Sequence, residues 1–181
     1  MSVSAVYSVT GTSDESYPRL DYSHRRNRSI DWLEFRDYAI RGRPDETSFN
    51  LFVKARTQFD SVWIIGVGLV MSARLRQTLE PLVGGPVTFL PVRVNDEPFS
   101  LMRVEHVIDA LDEGRSEYDR TSSGEVFALG KPAWLGDRIP DPSIFTIPQF
   151  ASRVWATPTV ADAYRLSGCN GLIFGRRGTV V

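Results

Sequence analysis

The chain has one cysteine, Cys169, two histidines, His24 and His106, and no apolar run longer than the ten residues VWIIGVGLVM at 62–71. A lone cysteine excludes an internal disulfide and fits a reducing compartment. Neither histidine stands in HExxH or CxxC spacing, and no third partner for a zinc cluster is in view, so no metal is expected. His24 reads as a solvated loop residue and His106 as an exposed one beside a sheet. Ten apolar residues suit a core strand region, whereas a membrane span needs about twenty. The N-terminus, MSVSAVYSVTGTSDES, has neither a basic leader nor an apolar stretch of signal length. A cytoplasmic protein without a membrane partner is therefore expected.

The kits of common enzyme classes are also missing. There is no GxSxG elbow for a serine nucleophile and no GxxxxGK phosphate loop. GVGLVMS has two glycines at dinucleotide-loop spacing but lacks the third glycine and the acidic residue that closes such a unit, so it reads as a strand-end turn before a capped helix. The residues show no visible catalytic kit. Lys and Arg total 21 against 22 Asp and Glu, a formal net charge of −1. That balance gives no global attraction to nucleic acid or an anionic membrane.

What is present describes an ordinary globular chain. Its 181 residues, 42% hydrophobic and 24% charged, suffice for one domain with a real core. AVYSVTG (5–11) alternates and ends in glycine, as a first strand does. From Thr12 to Thr47 the composition is polar and reads mostly as loop, with IDWLEFRDYAI left open between strand and helix. Residues 49–53 and 60–71 read as extended. A helix from Ser72, the strand VTFLPVRV, an NDEP turn and the strand FSLMRV follow. VEHVIDALDEGRSEYDR is ambiguous between a helical face and a strand running into a loop. EVFALG, SIFTIP and SRVWA read as strands, and a C-terminal helix and GLIFGRR close the chain. Strands outnumber helices, so the expected class is α+β with a mainly antiparallel or mixed sheet, two short capped helices and long loops.

One format occurs twice. With Thr157 set over Ser72, Val160 falls over Leu75, Tyr164 over Leu79, Leu172 over Val87 and Phe174 over Phe89, without a gap. Ser72 and Thr157 are good N-caps, because a hydroxyl can accept from an unpaired amide of the first turn. Pro158 sits where a helix needs no amide hydrogen, Gly168 suits a left-handed helix end, and Pro81 limits the earlier helix. Both stretches read as strand, helix, strand. Such grammar also arises by chance in α/β proteins, so the match sets a structural expectation.

Charge concentrates in two places. Glu105, Asp109, Asp112, Glu113, Glu117 and Asp119 stand against Arg115 and Arg120. Three readings are open: Asp109 and Asp112 as an acid and base pair split by burial, a solvated acidic edge, or a surface that meets a basic partner. Arg19, Arg25, Arg26 and Arg28, with Tyr17 and Tyr22 interleaved, form a basic segment. It carries no RNA-binding motif, and nucleic acid is not expected as a partner.

FDSVWIIGVGLVMSARLRQTLEPL followed by VTFLPVRV resembles the bacterial polymorphic-toxin immunity family numbered eleven, formerly a domain of unknown function. The carrying residues there are Asp60, Ser72 and Leu79. VIDALDEGRSEY resembles the family's Asp-x-Leu-Asp segment and following Ser, through Asp109, Leu111, Asp112 and Ser116. SIFTIP resembles its late Ile-Phe strand, and VWATPTVADAYRLSGCNGLIFG its closing cap, helix and strand, through Thr157, Gly171 and Phe174. The resemblance covers roughly 60–175 as a family-like core, and 1–59 match loosely within a single 1–181 domain. Pro158, Asn170 and the charged N-terminal segment depart from the pattern. The resemblance implies a non-enzymatic bacterial protein, with no cofactor and no turnover, that binds and neutralises a cognate toxin encoded beside it. The candidate toxin-binding residues are Asp109, Asp112, Glu113, Glu117 and Asp119. Alternatives are an adaptor or chaperone for a secreted effector, or a small hydrolase using Asp109 and Asp112.

Overall fold

A computed structural model describes residues 3–11, 19–20, 24–43, 49–55, 58–64 and 67–181. The strands are β1 (Tyr7–Gly11), β2 (Arg19–Leu20), β3 (Asn50–Leu51), β4 (Val53–Lys54), β5 (Ser61–Ile64), β6 (Gly68–Met71), β7 (Val87–Val94), β8 (Glu97–Val104), β9 (Glu117–Arg120), β10 (Val126–Lys131), β11 (Ala133–Trp134), β12 (Ile144–Phe145), β13 (Val154–Ala156), β14 (Leu172–Arg176) and β15 (Thr179–Val180). The helices are α1 (Arg25–Arg28), α2 (Trp32–Arg41), α3 (Ala73–Leu79) and α4 (Pro158–Ser167). The class is α+β, with sheets that are antiparallel or mixed. Tyr17 and Tyr22 lie outside the described residues.

The doubled format of the sequence is a doubled topology. One sheet runs β3-β7-β8-β6-β5 and the other β12-β13-β1-β14. In each, a strand leads through a helix to a second strand, and a third strand lies antiparallel between those two. β8 lies between β6 and β7, and β1 between β13 and β14. The registers also agree: Met102 of β8 faces Leu69 and Phe89, as Val9 of β1 faces Val154 and Phe174. Each repeat ends with a short parallel pairing, β3 with β7 and β11 with β15. In chain order, β1 opens the first repeat and β8 the second, yet each sits at the centre of the other's sheet. The halves are interlocked by reciprocal exchange of their first strands. Residues 3–11 are therefore central to the core, although their resemblance to the family is loose.

Three cores follow from the alternation of side chains along these strands. The middle one lies under the two helices and takes Leu75 and Leu79 from α3, Val160 and Tyr164 from α4, and Met71, Ala156, Val9 and Met102 from the sheets. On the far face of the first sheet, Val70, Leu90 and Leu101 are covered by Phe35, Tyr38 and Ala39 of α2. On the far face of the second, Phe145 and Trp155 pack with Trp134 of β11 and with Ile108, Leu111 and Leu129. Trp134 and Trp155 meet edge to face with centroids 4.8 Å apart, and the Trp134 indole N–H donates to the Arg177 carbonyl at 2.9 Å.

The structure corrects some expectations and decides readings that the sequence leaves open. The polar N-terminal stretch holds two helices among its described residues, and α2 falls in IDWLEFRDYAI, which the sequence leaves open between strand and helix. Asp31 caps α2 through the amides of Leu33 and Glu34. Within 60–71, read as extended, the described residues form two strands, β5 and β6, paired antiparallel. Residues 105–116 are not helical: Leu111 bridges Trp134, Val107 bridges Thr146, and the strip lies across β11 and β12 through main-chain bonds. His24 is not free in solvent, since its ring stacks on Phe52 at 3.5 Å and its Nδ1 accepts from the Arg26 amide. The NDEP turn is as expected: Asn95 and Asp96 both have positive φ, as a two-residue hairpin loop requires.

Candidate functional site

The residues that carry the family resemblance are mostly joints between the two repeats. Asp60, at the head of β5, is buried. Its carboxylate accepts from the Ser72 hydroxyl at 2.9 Å and the Asn170 amide at 3.2 Å, with Arg74 at 3.8 Å. Ser72 also caps α3, accepting from the Leu75 amide. Leu79 and Leu111 are core residues, and Phe174 packs on the Tyr164 ring at 4.9 Å. Gly171 has φ +101, and a Cβ there would meet the Ser61 carbonyl oxygen at 2.6 Å, so a side chain is excluded.

Thr157 sits at the N-cap position of α4 but makes no capping bond through its side chain, contrary to the expectation. Its hydroxyl instead accepts from the Ser143 amide at 3.0 Å, and its own amide donates to the Ser143 carbonyl. In the other repeat the Ser72 amide donates to the Asp60 carbonyl, so Ser143 stands where Asp60 does. Ser143 Oγ lies 3.2 Å from His106 Nδ1, a serine and histidine pairing that sequence reading missed. Ser143 is fully buried, so its oxygen offers no face to a substrate. His106 is half-buried against Gly85 rather than exposed, and the pair joins the loop before β12 to the end of β8.

The acidic segment is divided between scaffold and surface. The Asp112 carboxylate turns back on its own loop, accepting from the amides of Gly114 and Arg115 at 3.1 Å. Ser116 secures the same turn: its hydroxyl donates to the Asp112 carbonyl and accepts from the Ala133 amide. Asp109 is held by Arg138, which donates to its carbonyl at 3.0 Å and lies 3.8 Å from its carboxylate. Asp109 and Asp112 thus have separate partners, and neither touches the other in the way a proton-transfer pair would. Among the described residues no three His, Cys, Asp or Glu side chains are grouped to hold a metal ion.

Glu113, Glu117 and Asp119 behave differently. They lie on or beside the β9–β10 ribbon, which is hydrogen-bonded to neither main sheet. Glu113 accepts from the Gln149 amide at 2.7 Å, and Glu117 pairs with Lys131 at 3.1 Å across the ribbon. The Asp119 side chain has no hydrogen-bond or ion-pair partner among the described residues, while its main chain pairs with Ala128 in the ribbon. Beneath, Glu113, Tyr118, Arg120, Val126, Gln149 and Phe150 line an open cleft of about 430 Å³. Burial, and then the Glu113 charge, raise the Tyr118 phenol above its ordinary range.

Sequence reading missed the apolar part of this surface. Leu129 and Tyr118 face each other and pack inward, while Val126 is 43% and Phe127 63% exposed. The register shifts between Val126 and Ala128, so Phe127 is the extra residue of a bulge and is turned out of the ladder. The signal was available, because four consecutive apolar residues in VFAL cannot all face inward from a two-stranded ribbon.

The Arg-rich segment is tied down in part: Arg26 pairs with Asp96 at 2.7 Å. Among the described residues no helix is long and apolar enough to cross a membrane. No protein-family model matches the chain, and no curated protein matches its sequence, so the resemblance to immunity family eleven rests on the quoted motifs alone.

Proposed function

We propose that the protein neutralises a cognate secreted bacterial toxin by forming a tight stoichiometric complex with it in the producing cell. The observation that carries this reading is the β9–β10 ribbon, which stands outside both sheets and presents an exposed aromatic residue among carboxylates. Aromatic anchors inside a charged rim are the usual anatomy of high-affinity protein interfaces. The interlocked repeats support it, since a surface fixed on a rigid body loses less entropy on binding. Acidic charge on that surface suits a basic toxin, for which complementary fields speed encounter.

Growth rescue tests the proposal. The product of the adjacent reading frame is expressed in a naive bacterium with and without this protein. The expected result is arrest in its absence and restored growth, with a recoverable complex, in its presence. Arrest that this protein does not relieve would defeat the proposal.

A further inference from the structure

The interface acids expected from sequence divide: the Asp112 carboxylate is turned back on its own loop and Asp109 lies 3.8 Å from Arg138, whereas Glu113, Glu117 and Asp119 lie on or beside the ribbon. We infer that the docking surface is the outer face of the β9–β10 ribbon, with Phe127 as its anchor. Its occupant is a protein with an apolar pocket rimmed by Lys or Arg. This inference rests on the neutralisation reading and moves its contact site from the acidic loop to the ribbon.

Phe127 belongs to none of the three cores, makes no ring contact among the described residues, and has no packing role that would explain its place on a bulge. Val126 beside it lines the cleft beneath the ribbon, so Phe127 carries the apolar part of the outer face. The charge around Phe127 selects the partner. Among the described residues, Glu105, Asp109 and Glu117 each have a basic neighbour, in Arg103, Arg138 and Lys131. Glu113, Asp119 and Glu125 have none, and the nearby Arg120 donates to the Gly124 carbonyl rather than to a carboxylate. The exposed carboxylates of Asp119 and Glu125, with Glu113 held only by Gln149 and neutralised by no cation among the described residues, give the ribbon an acidic surface that repels nucleic-acid phosphates and anionic lipid and attracts a cationic protein face.

The test measures binding of the full-length protein to the product of the adjacent reading frame, comparing the wild type with Phe127→Asp and with the pair Asp119→Lys and Glu125→Lys. These side chains are exposed, and unchanged thermal melts check that each variant folds. Phe127→Asp is expected to weaken the complex about a hundredfold or more, mainly through faster dissociation. The lysine pair is expected to slow association roughly tenfold and to reduce its salt dependence. If the wild type binds and all variants bind equally well, the ribbon is not the docking surface, although neutralisation stands. If the wild type forms no complex, the neutralisation reading falls and the docking surface falls with it.

Discussion

Asp60 and Asn170 grip each other reciprocally: the Asn170 side-chain oxygen accepts from the Asp60 amide at 3.1 Å, and the Asp60 carboxylate accepts from the Asn170 amide at 3.2 Å. They join the head of β5 in the first repeat to the turn before β14 in the second. Asp60→Ala leaves the Ser72 hydroxyl and the Asn170 amide without their acceptor in a buried joint. The expected cost is about 2–3 kcal/mol in urea unfolding. A loss below about 0.5 kcal/mol, the range of an ordinary surface substitution, would show that the joint contributes little.

The exchange of β1 and β8 makes a stronger claim about folding. A chain divided at the Asn95–Asp96 turn gives two fragments, each lacking the central strand of its own sheet. Neither fragment alone should melt cooperatively as a monomer, and an equimolar mixture should recover the native circular dichroism as a one-to-one complex. Cooperative monomeric melting of either fragment would contradict the interlocked arrangement.

The paired strand, helix, strand stretches were legible because Ser72 over Thr157 and Leu79 over Tyr164 are local patterns with fixed periods. The exchanged strands were not. Nothing near Tyr7–Gly11 indicates that its partners are Val154–Ala156 and Leu172–Arg176, since pairing register is a long-range property. The equivalence of Asp60 and Ser143 was hidden because the shared interaction is made by main-chain atoms. Helix α2 could have been read: Asp31 followed by Glu34 is a capping pattern, and Phe35, Tyr38 and Ala39 share one helical face. At the candidate surface, charge was visible in the sequence and its use was not. Asp112 and Asp119 look alike as letters, yet one closes a turn and the other faces solvent.

Acid should loosen the contact between the N-terminal segment and the β7–β8 turn. Hydrogen bonds from Arg26 first, and then from Asn50, hold the Asp96 carboxyl below its ordinary range. A carboxyl depressed in the folded state stabilises above its unfolded pKa, and that contribution is lost as pH falls through the folded value. Asp96→Asn keeps a side chain suited to positive φ and removes the titration. The variant should lose less melting temperature than the wild type as pH drops below about 4. Parallel melting curves across that range would show that the pair adds nothing to acid stability.

The most direct measurement of the central claim is a titration of the purified toxin's activity with this protein. Neutralisation by a tight stoichiometric complex predicts a linear fall in activity that ends sharply at one equivalent. A complex that forms at one equivalent while leaving activity unchanged would contradict the account and favour an adaptor that carries its client without inhibiting it.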